Sequence, residues 1–152
     1  MKIEFLGNCE LLHLPKTAFL ASSTIPVDMV LPCYDWAIRM RNEGRCVISG
    51  FNSRLEKDVL NFLIKGEQPI IMVRSCKMWK HVPQDIKPFI DEGRLLVIST
   101  SNELRLNKRN ALVRNRYICE LADEILFVGA IPTSSLYPLS IDYASKIIDS
   151  PK

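Results

Sequence analysis

The stretch NKRNALVRNRYICELADEILFVGA, which spans Asn107–Ala130, decides the fold class of this chain. Apolar side chains recur in it at helical spacing and predict a helix over Asn110–Ala122. The apolar run Ile125–Val128 then predicts a strand that is buried on both faces. A helix followed by such a strand is typical of a parallel α/β sheet. The apolar helix positions are Val113, Tyr117, Ile118, Leu121 and Ala122.

Basic residues are concentrated in the same stretch. Five of them lie between Arg105 and Arg116, and the helical spacing predicts that Arg114 and Arg116 face away from the apolar side. Cations near the start of a helix that borders a parallel sheet can bind phosphate. The alternative is a solvated helix face without a ligand.

Strands and helices alternate along the rest of the chain. This alternation predicts βαβ crossovers and a Rossmann-like three-layer α/β sandwich with a mainly parallel sheet. We expect one domain over residues 1–152, with an N-terminal arm at 1–16 and a C-terminal extension at 137–152. The other predicted strands are Thr17–Ser22, Cys46–Ser49, Pro69–Val73 and Leu95–Ile98, and the other predicted helices are Pro26–Glu43, one from the capping box Ser53–Glu56 to Gly66, and Pro83–Glu92.

The predicted helix Pro26–Glu43 carries an apolar stripe and an internal proline. The stripe predicts which side faces the core, and Pro32 predicts a kink or a restart of the helix. Gly44 is well placed to end it. The positions predicted to be buried are Val27, Val30, Leu31, Tyr34, Ala37, Ile38 and the aliphatic stem of Arg41.

Composition and cysteine usage limit the class of protein. With 47% hydrophobic and 24% charged residues and no apolar run long enough for a bilayer, the chain resembles an ordinary globular protein. The N-terminus lacks the apolar core of a signal peptide, so a cytoplasmic location is expected. Five cysteines without a C-x-x-C pair predict free thiols, and neither a metal nor a cofactor is expected. The net charge of +3 is too small to indicate nucleic-acid binding by itself.

Polar loops follow the predicted strands. Because ligands bind beyond the carboxyl ends of parallel strands, these loops form the candidate site. Hydroxyls, a glycine and a helix N-terminus suit phosphate, although none of the loops has a G-x-G-x-x-G or Walker pattern. Turn formation or helix capping is the alternative role of each Ser or Thr. The loops are 22–24, 49–54, 99–102, and 129 with 133–135.

Residues suited to acid–base chemistry are few. His13 and His81 lie outside the predicted strand-end loops and are expected at the surface or in packing. Glu56 is explained as the N3 residue of the capping box rather than as a general acid. Trp79 lies in a basic loop, where packing is expected in preference to stacking on a base. The sequence therefore predicts no catalytic residue.

Three motifs, in this order, resemble those of a known family. Ser49–Glu56 resembles a loop S-G-x-A-x-G-x-D, Val113–Ile118 with Leu121–Asp123 resembles a helix R-N-R-I-I-A-G-L-S-D, and Ser134–Leu136 resembles a closing S-G-S-L. Over Thr17–Leu136 the chain is thereby similar to the Rossmann-like domain of the DNA-processing protein A (DprA/Smf) family. That family belongs, with the LOG-type phosphoribohydrolases, to a wider group of nucleotide-sensing domains.

The chain departs from the family pattern at several positions. Ala21–Ser23 stands where the family has Gly-Ser-Arg, Arg54 replaces the second glycine of the loop, and Glu56 replaces its aspartate. The LOG signature P-G-G-x-G-T-x-x-E is absent. A nucleotide-derivative hydrolase of the phosphoribohydrolase type is the alternative function, and a sensor or scaffold without chemistry is a third.

The resemblance implies binding of single-stranded DNA or a nucleotide phosphate, and a role in recombination or DNA uptake with RecA as a partner. A homodimer is also expected, and no membrane partner. We expect loop 49–54 and at least one of Arg114 and Arg116 to line one pocket, unless Arg116 forms a buried ion pair instead. The residues expected to bind the phosphate or nucleic acid are Ser22, Ser49, Gly50, Asn52, Ser53, Arg54, Lys108, Arg109, Arg114, Arg116, Ser134 and Ser135.

Overall fold

The computed structural model describes residues 2–148. Met1 and residues 149–152, which belong to the predicted arm and C-terminal extension, lie outside the described residues. In residues 2–148, no helix is both long and apolar enough to cross a membrane. The elements are β1 (Glu4–Gly7), β2 (Lys16–Ala21), α1 (Val30–Glu43), β3 (Cys46–Ser49), α2 (Arg54–Leu63), β4 (Ile70–Arg74), α3 (Lys87–Asp91), β5 (Leu95–Ser99), α4 (Lys108–Leu121), β6 (Glu124–Val128) and α5 (Tyr137–Asp142), with 3-10 turns at Cys9–His13, Val27–Met29 and Ala144–Lys146.

The strands form one mixed sheet in the order β1-β5-β4-β3-β2-β6. The five strands β2 to β6 pair in parallel, and β1 pairs antiparallel with β5, with Glu4 opposite Ser99. The carboxyl ends of the five parallel strands therefore lie at one edge, which we call the carboxyl edge. It is formed by the loops that follow Ala21, Ser49, Arg74, Ser99 and Val128.

Helices cover both faces of the sheet. On one face, α1 and α2 pack on the strands, and Phe19 of β2 stacks on Trp36 of α1 with ring centroids 5.2 Å apart. On the other face, Ile118 and Cys119 of α4 and Leu139 of α5 pack against the alternate strand side chains. The parallel strands are thus buried on both sides, which explains why their sequences are continuously apolar.

The predicted α/β fold class is confirmed. Each predicted strand is present within one or two residues of its expected bounds, and Gly44 ends α1 in a left-handed conformation. The predicted N-terminal arm at 1–16 contains a strand that the sequence does not predict. Residues 4–7 form the edge strand β1, whose antiparallel pairing makes the sheet mixed. The third predicted helix is shorter than expected and begins at Lys87 rather than at Pro83.

The predicted buried stripe of α1 is wrong at its start. Val27 and Leu31 are 88% and 70% exposed, whereas Cys33, Trp36, Ala37 and Met40 face the core. The cause is a 3-10 turn at Val27–Met29, because of which the α-helix begins only at Val30. This changes which positions of the helix face the core. Pro32 consequently lies in the first helical turn, where its missing N–H is tolerated and no kink is required.

The cysteines are free thiols, as predicted, and only Cys9 of the five is exposed. Burial raises the pKa of Cys33 to about 11 and those of Cys46 and Cys119 to about 12. These three thiols are therefore protonated at neutral pH and behave as small apolar core residues.

Gly7 makes the pairing of β1 with β5 possible. Its φ is +112°, and a Cβ atom placed on it would clash with the Leu95 carbonyl oxygen. We expect Gly7→Ala to lower the free energy of unfolding by roughly 2 kcal/mol, because it combines backbone strain with a clash. Urea denaturation measures the loss.

Gly44→Ala is the matched control for Gly7→Ala. Gly44 also has a positive φ, of +70°, but a Cβ atom there would meet nothing within 4 Å. Its replacement is expected to cost about 1 kcal/mol from strain alone. Equal losses in the two variants would contradict the proposed clash with Leu95.

Candidate functional site

The loop after β3 is a tight, strained turn at the carboxyl edge. The Ser49 hydroxyl accepts a hydrogen bond from the Phe51 amide at 3.1 Å. Phe51 is buried and has a φ of +47°, a left-handed conformation that is uncommon for a residue with a bulky side chain. Buried packing of its ring holds this conformation and fixes the path of the loop towards Ser53.

Glu56 fixes this loop through hydrogen bonds to its backbone. The predicted capping box is present, since the Ser53 hydroxyl accepts from the Glu56 amide and Glu56 Oε1 accepts from the amides of Asn52 and Ser53. The second carboxylate oxygen of Glu56, Oε2, accepts a hydrogen bond from the Ala21 amide at 2.9 Å. One buried carboxylate therefore joins the end of β2 to the loop after β3.

Arg114 of α4 lies directly on this loop. Its guanidinium is so close to Gly50 that an added Cβ would lie 2.6 Å from Nη1 and 2.8 Å from Cζ. The side chain is only 5% exposed. The structure thus brings the loop after β3 together with one of the two predicted phosphate-binding arginines.

The surroundings of Arg114 leave part of its hydrogen-bonding capacity unused. Nε donates to the Asn115 side-chain oxygen at 2.8 Å, and within the described ranges neither terminal nitrogen donates a hydrogen bond. Burial lowers the pKa of the Arg114 guanidinium, whereas the nearby Glu56 and Cys76 act in the opposite direction. The cation is thus partly compensated by Glu56, and its terminal N–H groups remain available to an anion.

The predicted orientation of Arg114 is wrong. It was assigned to the polar side of α4, yet it lies on the buried side with Ile118, one turn further along, whereas the predicted core residue Val113 is 39% exposed. Helical periodicity assigns arginine to the solvent side by its charge. Here the helix starts at the carboxyl edge, and side chains in its first turns meet polar loops rather than the apolar core.

Arg116 has different neighbours. Its Nη2 atom donates to Asp142 of α5 at 3.1 Å, and its guanidinium lies over the Tyr143 ring at 5.7 Å. The ion pair is at the surface, since the two side chains are about half exposed, so the alternative of a buried pair is wrong. Among the contacts of the described residues, Arg116 has none with the loop after β3.

Gly50 has a different use from the expected one. The sequence predicts that the missing Cβ of Gly50 lets a ligand approach, but Arg114 occupies that space. Arg54 is 90% exposed and pairs weakly with Asp58 at 3.9 Å. Asn52 contributes its backbone amide to Glu56, while its side chain is exposed.

The predicted serines near β2 and β6 form turns. The Ser22 amide donates to the Val128 carbonyl, and its hydroxyl accepts from the Thr24 amide at 3.4 Å. The Ser134 hydroxyl accepts from the Leu136 amide at 3.1 Å, and Ser135 is exposed. The hydroxyls of Ser22 and Ser134 thus stabilise turns. Contact of Ser22, Ser134 or Ser135 with phosphate remains a prediction.

Exposed cations surround the same edge. Lys108 and Arg109 begin α4, Arg105 precedes it, and the loop after β4 adds Lys77 and Lys80. The Lys77 amide donates to the Glu103 carbonyl, so the loops after β4 and β5 are joined. In the part of the chain that the structure describes, none of these five side chains takes part in an ion pair or a hydrogen bond.

In the loop after β4 the sequence predicts the packing of Trp79 but not the roles of Arg74 and Ser75. Arg74 donates from Nη2 to the Cys76 sulfur at 3.0 Å and lies 4.1 Å over the Trp79 ring, which packs in the loop as expected. Ser75 is buried, and its hydroxyl has no hydrogen-bond partner among residues 2–148. The short polar run Arg74–Cys76 after an apolar strand was the available signal.

No protein-family model and no curated protein matches this chain, but solved structures share its fold. DNA processing protein A from Helicobacter pylori superposes with a TM-score of 0.72 at 20% identity, over 95% of this chain and 69% of that one. DNA processing protein A from Streptococcus pneumoniae gives 0.74 at 18% identity, over 95% and 53%. A molybdenum cofactor carrier protein from Chlamydomonas reinhardtii gives 0.51 at 12% identity, over 87% and 71%.

These comparisons confirm the resemblance at the level of the fold. The chain has the Rossmann-like fold of the two DNA processing proteins, and it spans about half the length of the pneumococcal one. The Helicobacter pylori protein binds single-stranded DNA. Identities of this size show a common architecture and not a common ligand.

Replacing Glu56 tests its role as the anchor of the site. Glu56→Ala removes the acceptor of three backbone N–H groups, those of Ala21, Asn52 and Ser53. We expect it to lower the free energy of unfolding by roughly 3 kcal/mol, measured by urea denaturation. Glu10→Ala, at an exposed position, should change it by less than about 0.5 kcal/mol, and similar losses in both would contradict the anchoring role.

A double-mutant cycle tests the contact of Gly50 with Arg114. Since Gly50 does not have a positive φ, an alanine there conflicts with the guanidinium and not with the backbone. Gly50→Ala should cost roughly 2 kcal/mol in the natural chain and less than about 0.5 kcal/mol in an Arg114→Ala background. Equal costs in the two backgrounds, again from urea denaturation, would show that Gly50 does not make room for Arg114.

Proposed function

We propose that this protein binds single-stranded DNA, or a related nucleotide phosphate, at the carboxyl edge of its sheet. The proposal rests on a set of exposed cations, including Lys108 and Arg109, that have no ion pair within residues 2–148 and lie beside the partly unsatisfied guanidinium of Arg114. Cations that lack acidic partners attract a polyanion and release its counterions on contact.

The two kinds of cation have different roles in this proposal. Lys77, Lys80, Arg105, Lys108 and Arg109 are exposed and reach the phosphates of a strand that passes along the edge. Arg114, packed against Gly50 and close to Glu56, supplies a partly buried guanidinium fork for one phosphate. The fold shared with a single-stranded DNA binding protein supports the same ligand.

The cellular part of the proposal follows from the same family likeness. A cytoplasmic protein of this type would act in recombination or DNA uptake by passing single-stranded DNA to RecA, and a homodimer would double the binding edge. Retention of RecA by the immobilised protein in the presence of an oligonucleotide, and the mass of the protein in solution, test these two points.

A hydrolase of nucleotide derivatives is the weaker alternative. The buried carboxylate nearest to the Arg114 charge, Glu56, already accepts three backbone hydrogen bonds and is poorly placed to transfer a proton. Incubation with nucleoside monophosphates tests the alternative directly. Release of free base or of ribose phosphate would favour the enzyme over the binding protein.

The salt dependence of oligonucleotide binding tests the main proposal. A Lys108→Ala, Arg109→Ala variant should bind fluorescent oligo(dT) at least roughly tenfold more weakly, because two phosphate contacts are lost. The slope of log K against log salt should become shallower by about 0.7 for each lost contact. Fluorescence anisotropy at several salt concentrations gives both quantities.

The matched control loses the same charge at the opposite edge of the sheet. Arg45 precedes β3 and Lys65 follows α2, and the ion pairs of Arg45 are exposed. An Arg45→Ala, Lys65→Ala variant should keep both the affinity and the salt slope. Equal effects of the two double variants, or an unchanged slope in the first, would overturn the proposed interface.

A further inference from the structure

Polar atoms of Arg114, Ser75 and Arg74 at the carboxyl edge have no hydrogen-bond partner among residues 2–148, and those of Ser75 and Arg74, the hydroxyl and Nε, are fully buried. The terminal nitrogens of Arg114 donate no hydrogen bond within residues 2–148, and the hydroxyl of Ser75 has no partner, although Ser75 is only 1% exposed. An unpaired buried polar group costs free energy, which is recovered when a ligand supplies the missing hydrogen bonds. The free donors of Arg114 in α4 and of Ser75 in the loop after β4 are the starting point for a ligand at this edge.

Strand geometry assigns Ser75 and Arg114 to the same face of the sheet. Side chains alternate along β4, and Ile71 and Val73 belong to the core beneath α4, so Ser75 continues their row. Gly50 continues the corresponding row of β3, the neighbouring strand, and Arg114 lies on it. Cys76, adjacent to Ser75, is also close enough to raise the pKa of Arg114.

The backbone around Ser75 is rigidly held. The Arg74 carbonyl accepts from the amide and the hydroxyl of Thr100, and the Cys76 carbonyl accepts from the Ser99 hydroxyl at 2.7 Å. The peptide group before Ser75 and the one after Cys76 are thus tied to Ser99 and Thr100 at the end of β5. The backbone that carries the Ser75 hydroxyl is therefore fixed before any ligand arrives, which lowers the entropy cost of binding.

We propose that Arg114 and Ser75 form a recess for a terminal phosphate, a phosphomonoester at the end of a DNA strand or on a free nucleotide. This inference rests on the proposed function and specifies the ligand group at the same edge. Two terminal guanidinium nitrogens and one hydroxyl offer donors to three oxygens. A phosphomonoester has three terminal oxygens, whereas an internal phosphodiester has two and carries a sugar on each side.

Access and charge favour the terminal group as well. A guanidinium that is 5% exposed is reached by a group that projects from its molecule and not by one flanked by two nucleosides. A phosphomonoester carries a charge of about −1.5 to −2 near neutral pH, so it compensates a desolvated cation better than a singly charged diester.

Oligonucleotides with different ends test the proposal. Binding of oligo(dT) with a 5′-phosphate, a 3′-phosphate or only hydroxyl ends is compared by anisotropy, and dTMP and inorganic phosphate are added as competitors. We expect a phosphorylated end to increase affinity about tenfold, the gain expected from hydrogen bonds to a charged group. Competition by dTMP identifies a free nucleotide as a sufficient ligand, and its failure assigns the recess to strand ends.

Two variants separate ligand binding from stability. Ser75→Ala removes an unpaired hydroxyl, so the protein should be at least as stable while the preference for a phosphorylated end falls severalfold. Arg114→Lys keeps the charge but loses the fork, and should abolish the preference for a phosphorylated end. Ser145→Ala, at an exposed position after α5, is the control and should retain the preference.

The outcomes are distinguishable from failure of the proposed function. Equal affinity for phosphorylated and hydroxyl ends, or a preference that survives both Ser75→Ala and Arg114→Lys, would overturn the terminal-phosphate recess and leave DNA binding intact. Binding of no oligonucleotide and no nucleotide would overturn both proposals. Loss of the preference in Ser75→Ala without loss of stability supports the recess even if Arg114→Lys fails to fold.

Discussion

The carboxylate of Glu56 is the interaction on which the geometry of this edge depends. It accepts backbone hydrogen bonds from Ala21, Asn52 and Ser53 and so joins β2, the loop after β3 and the start of α2. A buried carboxylate requires such partners because its desolvation is otherwise prohibitive. Once the loop is fixed in this way, Gly50 presents a flat peptide surface to α4, and the position of Arg114 follows.

Arg114 is stable in its buried position only because several contributions combine. Desolvation disfavours the charge, Glu56 lies near enough to favour it, and Asn115 accepts from Nε. The missing Cβ of Gly50 provides the space. In other proteins, replacing a whole buried ion pair by apolar residues of similar volume is often neutral or stabilising. The Arg114 charge, whose terminal N–H groups donate no hydrogen bond within residues 2–148, therefore fits the proposed anion better than a purely structural role.

Local patterns predicted what local interactions determine. The capping box of Ser53 and Glu56, the apolar strands and the end of α1 at Gly44 were all visible in the sequence. The bond from Ala21 to Glu56 was not, because it joins residues that are distant in the chain. Edge strand β1 depends on pairing with β5, and the burial of Arg114 on the packing of α4 against two loops. Periodicity contains no information on either contact.

The exposed and the buried cations differ in what they can contribute to binding. Exposed lysines and arginines such as Lys108 and Arg109 act through charge alone, so their contribution weakens with salt and is indifferent to sequence. Arg114 and Ser75 are shielded from water, fixed in direction and limited in number. Donors of this kind select the shape and the oxygens of the group that meets them. The exposed cations would therefore bind a DNA strand at any point along its length. Arg114 and Ser75 would determine the position on the strand at which the protein binds.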